Sequence, residues 1–196
     1  MSTLRVTAGS LRGRRVPVPA GDFRPTSERA RQAFFNIVGE RIDGARFLDL
    51  FAGSGIFSFE AVSRGAASAT AIEHDRRKTE SIVKLANEWR VPVNAVPGEV
   101  LATLRQLRDP FDVVYADPPY DFDGYEKLVD AIGRLSLAND AVVAVEHRRR
   151  TNPFSGAGGR LPVQRRAEYG EVWITFFQAP GARRQASDPT PLTPEA

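Results

Sequence analysis

The stretch that decides the fold is Leu48-Asp49-Leu50-Phe51-Ala52-Gly53-Ser54-Gly55. Its first half is an apolar run of strand length, and its second half is a glycine turn that precedes a helical pattern. Strand and helix patterns alternate from Ala45, at the start of this strand, to Glu146. This order predicts a doubly wound α/β fold with a mostly parallel, seven-stranded sheet that is covered on both faces.

The element pattern extends along most of the chain. Strands are predicted at 46–50, 68–73, 93–96, 111–116 and 141–146, with helices at 55–65, 76–89 and 98–107, and a fourth that carries Tyr125, Leu128, Val129 and Ile132. Segments 161–168 and 171–177, joined at Tyr169-Gly170, are typical of a closing antiparallel hairpin.

The N-terminal part has a different pattern. Extended segments at 4–8 and 12–18 flank a Gly9-Ser10 turn and predict a small β-hairpin. A helix capped by Thr26 or Ser27 follows, because Ala30, Ala33, Phe34 and Ile37 recur with helical spacing. We therefore divide the chain into a basic hairpin extension at 1–25, a main domain at 26–178 and a disordered tail at 179–196.

Length and composition exclude several classes of protein. A chain of 196 residues is the size of one domain. With no cysteine and two histidines, neither a disulfide framework nor a metal site is expected. No apolar stretch reaches the length of a signal peptide core or a membrane helix. We expect a cytoplasmic protein without a membrane partner.

Positive charge is concentrated near the N-terminus. The whole chain has a net charge of +3, yet residues 1–31 hold seven arginines against two acidic residues. The planar arginine fork suits phosphate contacts. We predict that six arginines form a phosphate-binding platform for RNA: Arg12, Arg14, Arg15, Arg24, Arg29 and Arg31.

The glycine turn predicts a nucleoside cofactor. In a doubly wound sheet, ligands bind beyond the carboxyl ends of the strands, where Gly53 and Gly55 let the backbone approach the ligand. Glu73 ends the next strand and can accept hydrogen bonds from a ribose diol. A dinucleotide fingerprint needs a third glycine where this chain has Ser58, and the turn lacks the Gly-Lys of a Walker loop. The pattern favours a nucleoside without a pyrophosphate.

The segment Asp117-Pro118-Pro119-Tyr120 predicts chemistry on a nucleobase amine. Two prolines fix the backbone and remove two N–H donors, which leaves acceptor oxygens beside the Asp117 carboxylate. Such acceptors can hold the hydrogens of an exocyclic amine and stabilise the positive charge that develops during methyl transfer. The Tyr120 ring can stack on the base. We predict Asp117, Pro118 and Tyr120 as catalytic residues and S-adenosylmethionine as the methyl donor.

These motifs give the chain a resemblance to the small-subunit ribosomal RNA guanine-N2 methyltransferases of the RsmD type. The stretches that carry it are Gly9 to Arg14, Arg24 to Arg29, Leu48 to Gly55, Glu60 to Ala66, Ala71 to Glu73 and Asp117 to Tyr120. The resemblance implies a class I methyltransferase fold, S-adenosylmethionine as cofactor, and ribosomal RNA in a small-subunit particle as partner of a monomeric enzyme. It also implies that Asp117 and Tyr120 hold the guanine and that the cofactor site is lined by Asp49, Phe51, Gly53, Glu73 and Glu99.

Two other functions remain open at this point. An Asp-Pro-Pro-Tyr segment serves any exocyclic amine, so N6 of adenine in DNA or RNA is an alternative target. The fold could also belong to a non-catalytic RNA-binding module in ribosome assembly. Methylation of DNA in preference to ribosomal RNA would favour the first alternative, and failure to bind S-adenosylmethionine would favour the second.

Overall fold

The computed structural model describes residues 2–18, 28–119, 121–149, 153–154 and 160–179. Its strands are β1 (Ser2–Arg5), β2 (Arg15–Val18), β3 (Arg46–Leu50), β4 (Ser68–Glu73), β5 (Val93–Pro97), β6 (Phe111–Ala116), β7 (Leu137–Arg148), β8 (Val163–Tyr169) and β9 (Val172–Gln178). Its helices are α1 (Glu28–Val38), α2 (Ile56–Ser63), α3 (Arg76–Trp89), α4 (Val100–Leu104) and α5 (Tyr125–Ile132), with a short 3₁₀ helix at Gly39–Ile42.

Strands β3 to β9 form one seven-stranded sheet in the order β5-β4-β3-β6-β7-β9-β8. The first five strands of this order are parallel, whereas β9 runs antiparallel to both β7 and β8. The chain moves outward from β3 through β4 to β5 and then returns to β6 on the other side of β3. The direction of winding therefore reverses between β3 and β6, where a doubly wound sheet opens a crevice. The predicted fold class is confirmed.

Both faces of the sheet are buried, as the apolar strands predict. One hydrophobic cluster contains Phe47 of β3 together with Phe34 of α1 and Phe59 of α2. The other contains Leu48 of β3 together with Leu128 of α5. Because side chains alternate along a strand, Phe47 and Leu48 pack on opposite faces.

The N-terminal hairpin is shorter than predicted, and its connecting loop packs on α2. Strands β1 and β2 cover 2–5 and 15–18 rather than 4–8 and 12–18. The loop N–H groups of Ser10 and Leu11 instead donate to the main-chain oxygen and the Oγ of Ser63, at 2.8 and 2.9 Å. Hydrogen bonds to the end of α2 thus replace part of the ladder between the two strands.

The hairpin shares its core with the sheet domain. Val6, Leu11 and Val16 are buried in the same cluster as Phe34 and Phe59. Residues 2–18 of the predicted extension therefore pack against the main domain. The predicted Thr26 or Ser27 cap lies outside the described residues. Ala179, which we assigned to the tail, is buried, and residues 180–196 lie outside the described part of the chain.

Most predicted elements of the sheet domain occur within two residues of their predicted bounds, and two differ by more. Strand β7 covers Leu137–Arg148 instead of 141–146, because it pairs with β6 on one side and β9 on the other. Helix α4 is limited to Val100–Leu104 and begins after Glu99, whose side chain caps it. Among the described helices, none is long and apolar enough to cross a membrane.

Candidate active site

A cavity of about 360 Å³ opens at the carboxyl ends of β3, β4, β5 and β6. Its volume lies in the usual range for small-molecule sites. It brings together six residues that the sequence analysis placed in one site, namely Asp49, Phe51, Gly53, Glu73, Glu99 and Asp117. Four strands, β3 to β6, deliver these residues to one edge because parallel strands end on the same side of the sheet.

The turn after β3 adopts an unusual backbone conformation. Phe51, Gly53 and Gly55 all have positive φ values, of 62°, 56° and 75°. Gly53 lines the cavity, but Gly55 does not. A Cβ at Gly55 would lie 2.8 Å from Cγ1 of Ile82, so this glycine allows the start of α2 to pack closely on α3. The structure therefore gives Gly55 a packing role, and its contact with the cofactor stays a prediction.

Glu73 ends β4 as a buried carboxylate on the cavity wall, with 3% exposure. Its Oε2 accepts a hydrogen bond from the Gly53 N–H at 2.8 Å, and its Oε1 accepts one from the Asp75 N–H at 2.9 Å. Nδ1 of His74 also lies 2.9 Å from Oε1. Since a carboxylate has about four acceptor positions, Glu73 can hold the glycine turn and still accept from a ribose hydroxyl.

Asp49 is 2% exposed and occupies the floor of the cavity. Its Oδ2 accepts hydrogen bonds from the N–H and Oγ of Ser58, at 3.1 and 2.7 Å. Burial raises the pKa of Asp49 to about 7, although the two bonds from Ser58 oppose this, and Asp117 and Glu73 raise the pKa further. Ser58 was missed as a site residue; the signal for it was a lone polar side chain in the apolar run Ile56-Phe57-Ser58-Phe59.

Asp117 follows β6, and its N–H donates to the Leu50 main-chain oxygen at 3.2 Å. Its neighbours differ from the predicted set of acceptors. Pro118 is buried and does not line the cavity, whereas Pro119 does. The Pro119 carbonyl accepts from the Phe122 N–H at 2.9 Å and so closes a turn. Tyr120 lies outside the described residues.

The rim and floor of the cavity include aromatic rings. The Phe51 ring packs edge-on against Phe122, with centroids 5.3 Å apart. On the floor, Phe57 stacks on Tyr115 at 4.0 Å. The Tyr115 hydroxyl donates to Oε2 of the buried Glu146 at 2.5 Å. Burial, and then the Glu146 charge, raise the pKa of Tyr115. Phe57, Phe122 and Tyr115 were missed because apolar helix, loop and strand positions predict core packing.

Glu99 is exposed on the cavity rim. Its Oε2 accepts a hydrogen bond from the Ala102 N–H at 3.1 Å, which satisfies one free donor at the start of α4. A capping carboxylate is held in place by this bond. Glu99 therefore combines a structural role with a position beside the cavity, on the same side as Glu73.

The six predicted RNA-binding arginines separate in the structure. Arg12, Arg14, Arg15 and Arg29 are exposed, and Arg24 lies outside the described residues. We refer to Arg12, Arg14 and Arg15 as the hairpin arginines. Arg31 departs from the predicted platform, because it is 1% exposed and lines the cavity. Its guanidinium is drawn inward by the buried Glu60. Among the described residues, no group of three or more His, Asp or Glu side chains could hold a metal ion.

A family model described as conserved hypothetical protein 95 matches residues 4–178. The chain belongs to this family. It is 36% identical over 146 residues to the ribosomal RNA small subunit methyltransferase D of Escherichia coli K12. This match covers 73% of this chain and 74% of that protein. Its identity to the protein of the same name from Haemophilus influenzae is 34%, over 73% of this chain and 78% of that one.

A structural relative supports the same conclusion. The solved structure of the Escherichia coli protein yhhF has a TM-score of 0.82 and 31% identity to this chain, and the match covers 92% of this chain and 99% of that one. The resemblance to the RsmD-type family is therefore confirmed, and the chain is a methyltransferase with a class I fold.

Proposed function

We propose that this member of the family transfers a methyl group from S-adenosylmethionine to the exocyclic N2 amine of a guanine in small-subunit ribosomal RNA. The observation that carries the proposal is one cavity that holds an amine acceptor, Asp117, and a ribose acceptor, Glu73, at the ends of the two strands that flank β3. The names of the Escherichia coli and Haemophilus influenzae relatives support the RNA substrate.

The residues that line the cavity fit the proposed cofactor. Glu73 would bind the ribose diol, the open Gly53 turn would lie against the cofactor, and Glu99 would lie near the adenine. When bound, S-adenosylmethionine supplies an electrophilic methyl carbon on a positively charged sulfur. Glu73, Glu99 and Asp117 supply three carboxylates to the cavity. They outnumber Arg31 and Lys78, the arginine and lysine among the described lining residues, and so favour a positively charged ligand.

Asp117 would act on the guanine. The lone pair of an exocyclic amine is delocalised into the ring, so the amine is a weak nucleophile. By accepting hydrogen bonds from the N2 hydrogens, Asp117 would direct the lone pair toward the methyl carbon. As the N–C bond forms and the S–C bond breaks, the same carboxylate would stabilise the positive nitrogen and accept the proton that it loses.

A transfer assay tests the proposal. Small-subunit particles and naked ribosomal RNA from cells that lack this enzyme would be incubated with the protein and labelled S-adenosylmethionine, and the modified base would be mapped. We expect one N2-methylguanine, formed more readily in particles than in naked RNA, and no transfer by Asp117→Ala. A product at adenine or cytosine would overturn the proposed target.

The same preparation tests the proposed assembly state. We propose that the enzyme acts in the cytoplasm as a monomer, since one chain supplies both halves of the cavity. Light scattering at the concentrations of the assay should give the mass of one chain. A stable dimer that retains full activity would contradict this.

A further inference from the structure

Arg31 is a buried positive charge on the cavity wall with one donor, its Nε, that is unpaired among the described residues. It lies on α1 with 1% exposure and lines the cavity beside Leu4 and Val18 of the hairpin. Its Nη2 donates to the Arg5 main-chain oxygen at 2.8 Å. Its Nε has no hydrogen-bond partner among the described residues. A guanidinium has five N–H donors, and burying them unpaired is costly, so a buried arginine of this kind suits an acceptor that arrives with a ligand.

The carboxylate nearest to Arg31 is largely occupied by other donors. Oε2 of Glu60 lies 3.7 Å from Nε of Arg31, beyond hydrogen-bond distance. Glu60 accepts instead from the N–H and Oγ of Thr7, at 2.8 and 2.5 Å, and from Nε of Arg64 at 2.9 Å. Glu60 therefore balances the charge of Arg31 without satisfying its donors, and desolvation lowers the pKa of Arg31.

Packing between α1 and β6 brings Arg31 into the cavity that Asp117 also lines. Phe34, which lies one turn after Arg31 on α1, packs against Tyr115 of β6 with ring centroids 4.7 Å apart. Asp117 lies two residues after Tyr115, and Arg31, Tyr115 and Asp117 all line the cavity. A base whose amine is held by Asp117 would extend past Tyr115 toward Arg31.

Guanine has acceptors where Arg31 has donors. With N2 at Asp117, the O6 and N7 atoms of guanine lie at the far side of the base, and a guanidinium can bind both at once. Adenine keeps the N7 acceptor but carries an amino group in place of O6, so it would face the same guanidinium with one donor group. We propose that Arg31 selects the target base by donating to O6 and N7 of guanine while Asp117 holds N2. This inference rests on the proposed function.

The experiment measures nucleoside binding in the presence of S-adenosylhomocysteine by titration calorimetry. Three probes separate the contacts: guanosine, inosine, which lacks the N2 amine, and 2-aminopurine riboside, which keeps the amine and lacks O6. For the native protein, guanosine should bind about 5- to 150-fold more tightly than 2-aminopurine riboside, the range expected of a bidentate arginine–guanine pair.

Variants assign this preference to Arg31. In Arg31→Met the ratio of guanosine to 2-aminopurine riboside should fall to near one. Arg31→Lys keeps a positive charge beside Glu60 but not the fork, and should reduce the ratio in part. The matched control is Arg64→Met, which removes the other guanidinium on Glu60. Arg64 does not line the cavity, so this variant should keep the native ratio.

The outcomes distinguish the two proposals. Asp117→Ala should remove the preference for guanosine over inosine, and an unchanged preference would count against the proposed function. The inference about Arg31 fails if the native protein binds guanosine no better than 2-aminopurine riboside, or if Arg31→Lys and Arg31→Met both retain the native ratio. A loss of ratio in Arg64→Met equal to that in Arg31→Met would assign Arg31 to the support of the hairpin.

Discussion

Replacement of Gly9 by alanine should detach the N-terminal hairpin loop from α2. Gly9 has a φ of +77°, and a Cβ at this position would overlap the main-chain carbonyl of Ser63 and lie 2.7 Å from its Oγ. Because the obstructing atoms belong to the backbone at the end of a helix, no side-chain rotation can relieve the overlap. The loop must move away, and its hydrogen bonds to Ser63 must break.

The cost follows from these contacts. Three hydrogen bonds join the loop to Ser63: Ser10 N–H to the main-chain oxygen at 2.8 Å, Leu11 N–H to Oγ at 2.9 Å, and the Ser63 hydroxyl to the Ala8 oxygen at 2.5 Å. At about 1 kcal/mol each, their loss removes about 3 kcal/mol. A left-handed alanine adds about 1 kcal/mol. The total of about 4 kcal/mol is large beside the 5–15 kcal/mol that is typical of a whole domain.

Chemical denaturation with a matched variant measures the effect. Gly13 lies in the same loop with a φ of +89°, and a Cβ there would meet no atom within 4 Å. Gly13→Ala should therefore lower the free energy of unfolding only by the cost of a left-handed alanine, about 1 kcal/mol. The free energies of unfolding of the two variants should differ by about 3 kcal/mol. Equal losses in Gly9→Ala and Gly13→Ala would refute the docking argument.

Three further predictions concern the cavity and the RNA surface. Glu73→Gln should weaken S-adenosylmethionine binding about tenfold in calorimetry, because it removes a charged acceptor. Asp117→Ala should bind the cofactor normally and lose methyl transfer. An equal loss of cofactor binding in both variants would mean that the two subsites are one. The folded-state pKa of Asp49 is raised to about 7 from 3.8, so the native protein should lose stability as pH rises from about 4 to 7. In Asp49→Asn the side chain cannot titrate, so the free energy of unfolding of this variant, measured with denaturant, should lack this decline. If the native protein and the variant show the same dependence on pH, the prediction is wrong. Replacement of all three hairpin arginines by alanine should reduce the slope of log RNA affinity against log salt concentration by about two to three units, with cofactor affinity unchanged. A slope equal to that of the native protein would mean that these arginines do not contact RNA phosphates.

The sequence by itself determined the sheet and the edge where the site lies. Strands β3, β4 and β6 and helix α3 have the bounds that hydrophobic pattern predicts. These patterns are local, and a parallel order forces the carboxyl ends of the strands to one edge. The convergence of Gly53, Glu73 and Asp117 on one cavity could therefore be predicted from their positions after strands.

Only the tertiary structure decided which side chains meet across the chain. Thr7 bonds Glu60 from 53 positions away, and Tyr115 bonds Glu146 from 31. Arg31 was grouped with the exposed arginines because charge was counted along the chain, yet α1 turns it toward Glu60 and the cavity. Periodicity reports which face of an element is apolar, but the partner of a buried polar group is chosen by packing between distant elements. Arg31, proposed to select the base, belongs to this second class, because a guanidinium acquires its role from the groups that the folded chain places around it.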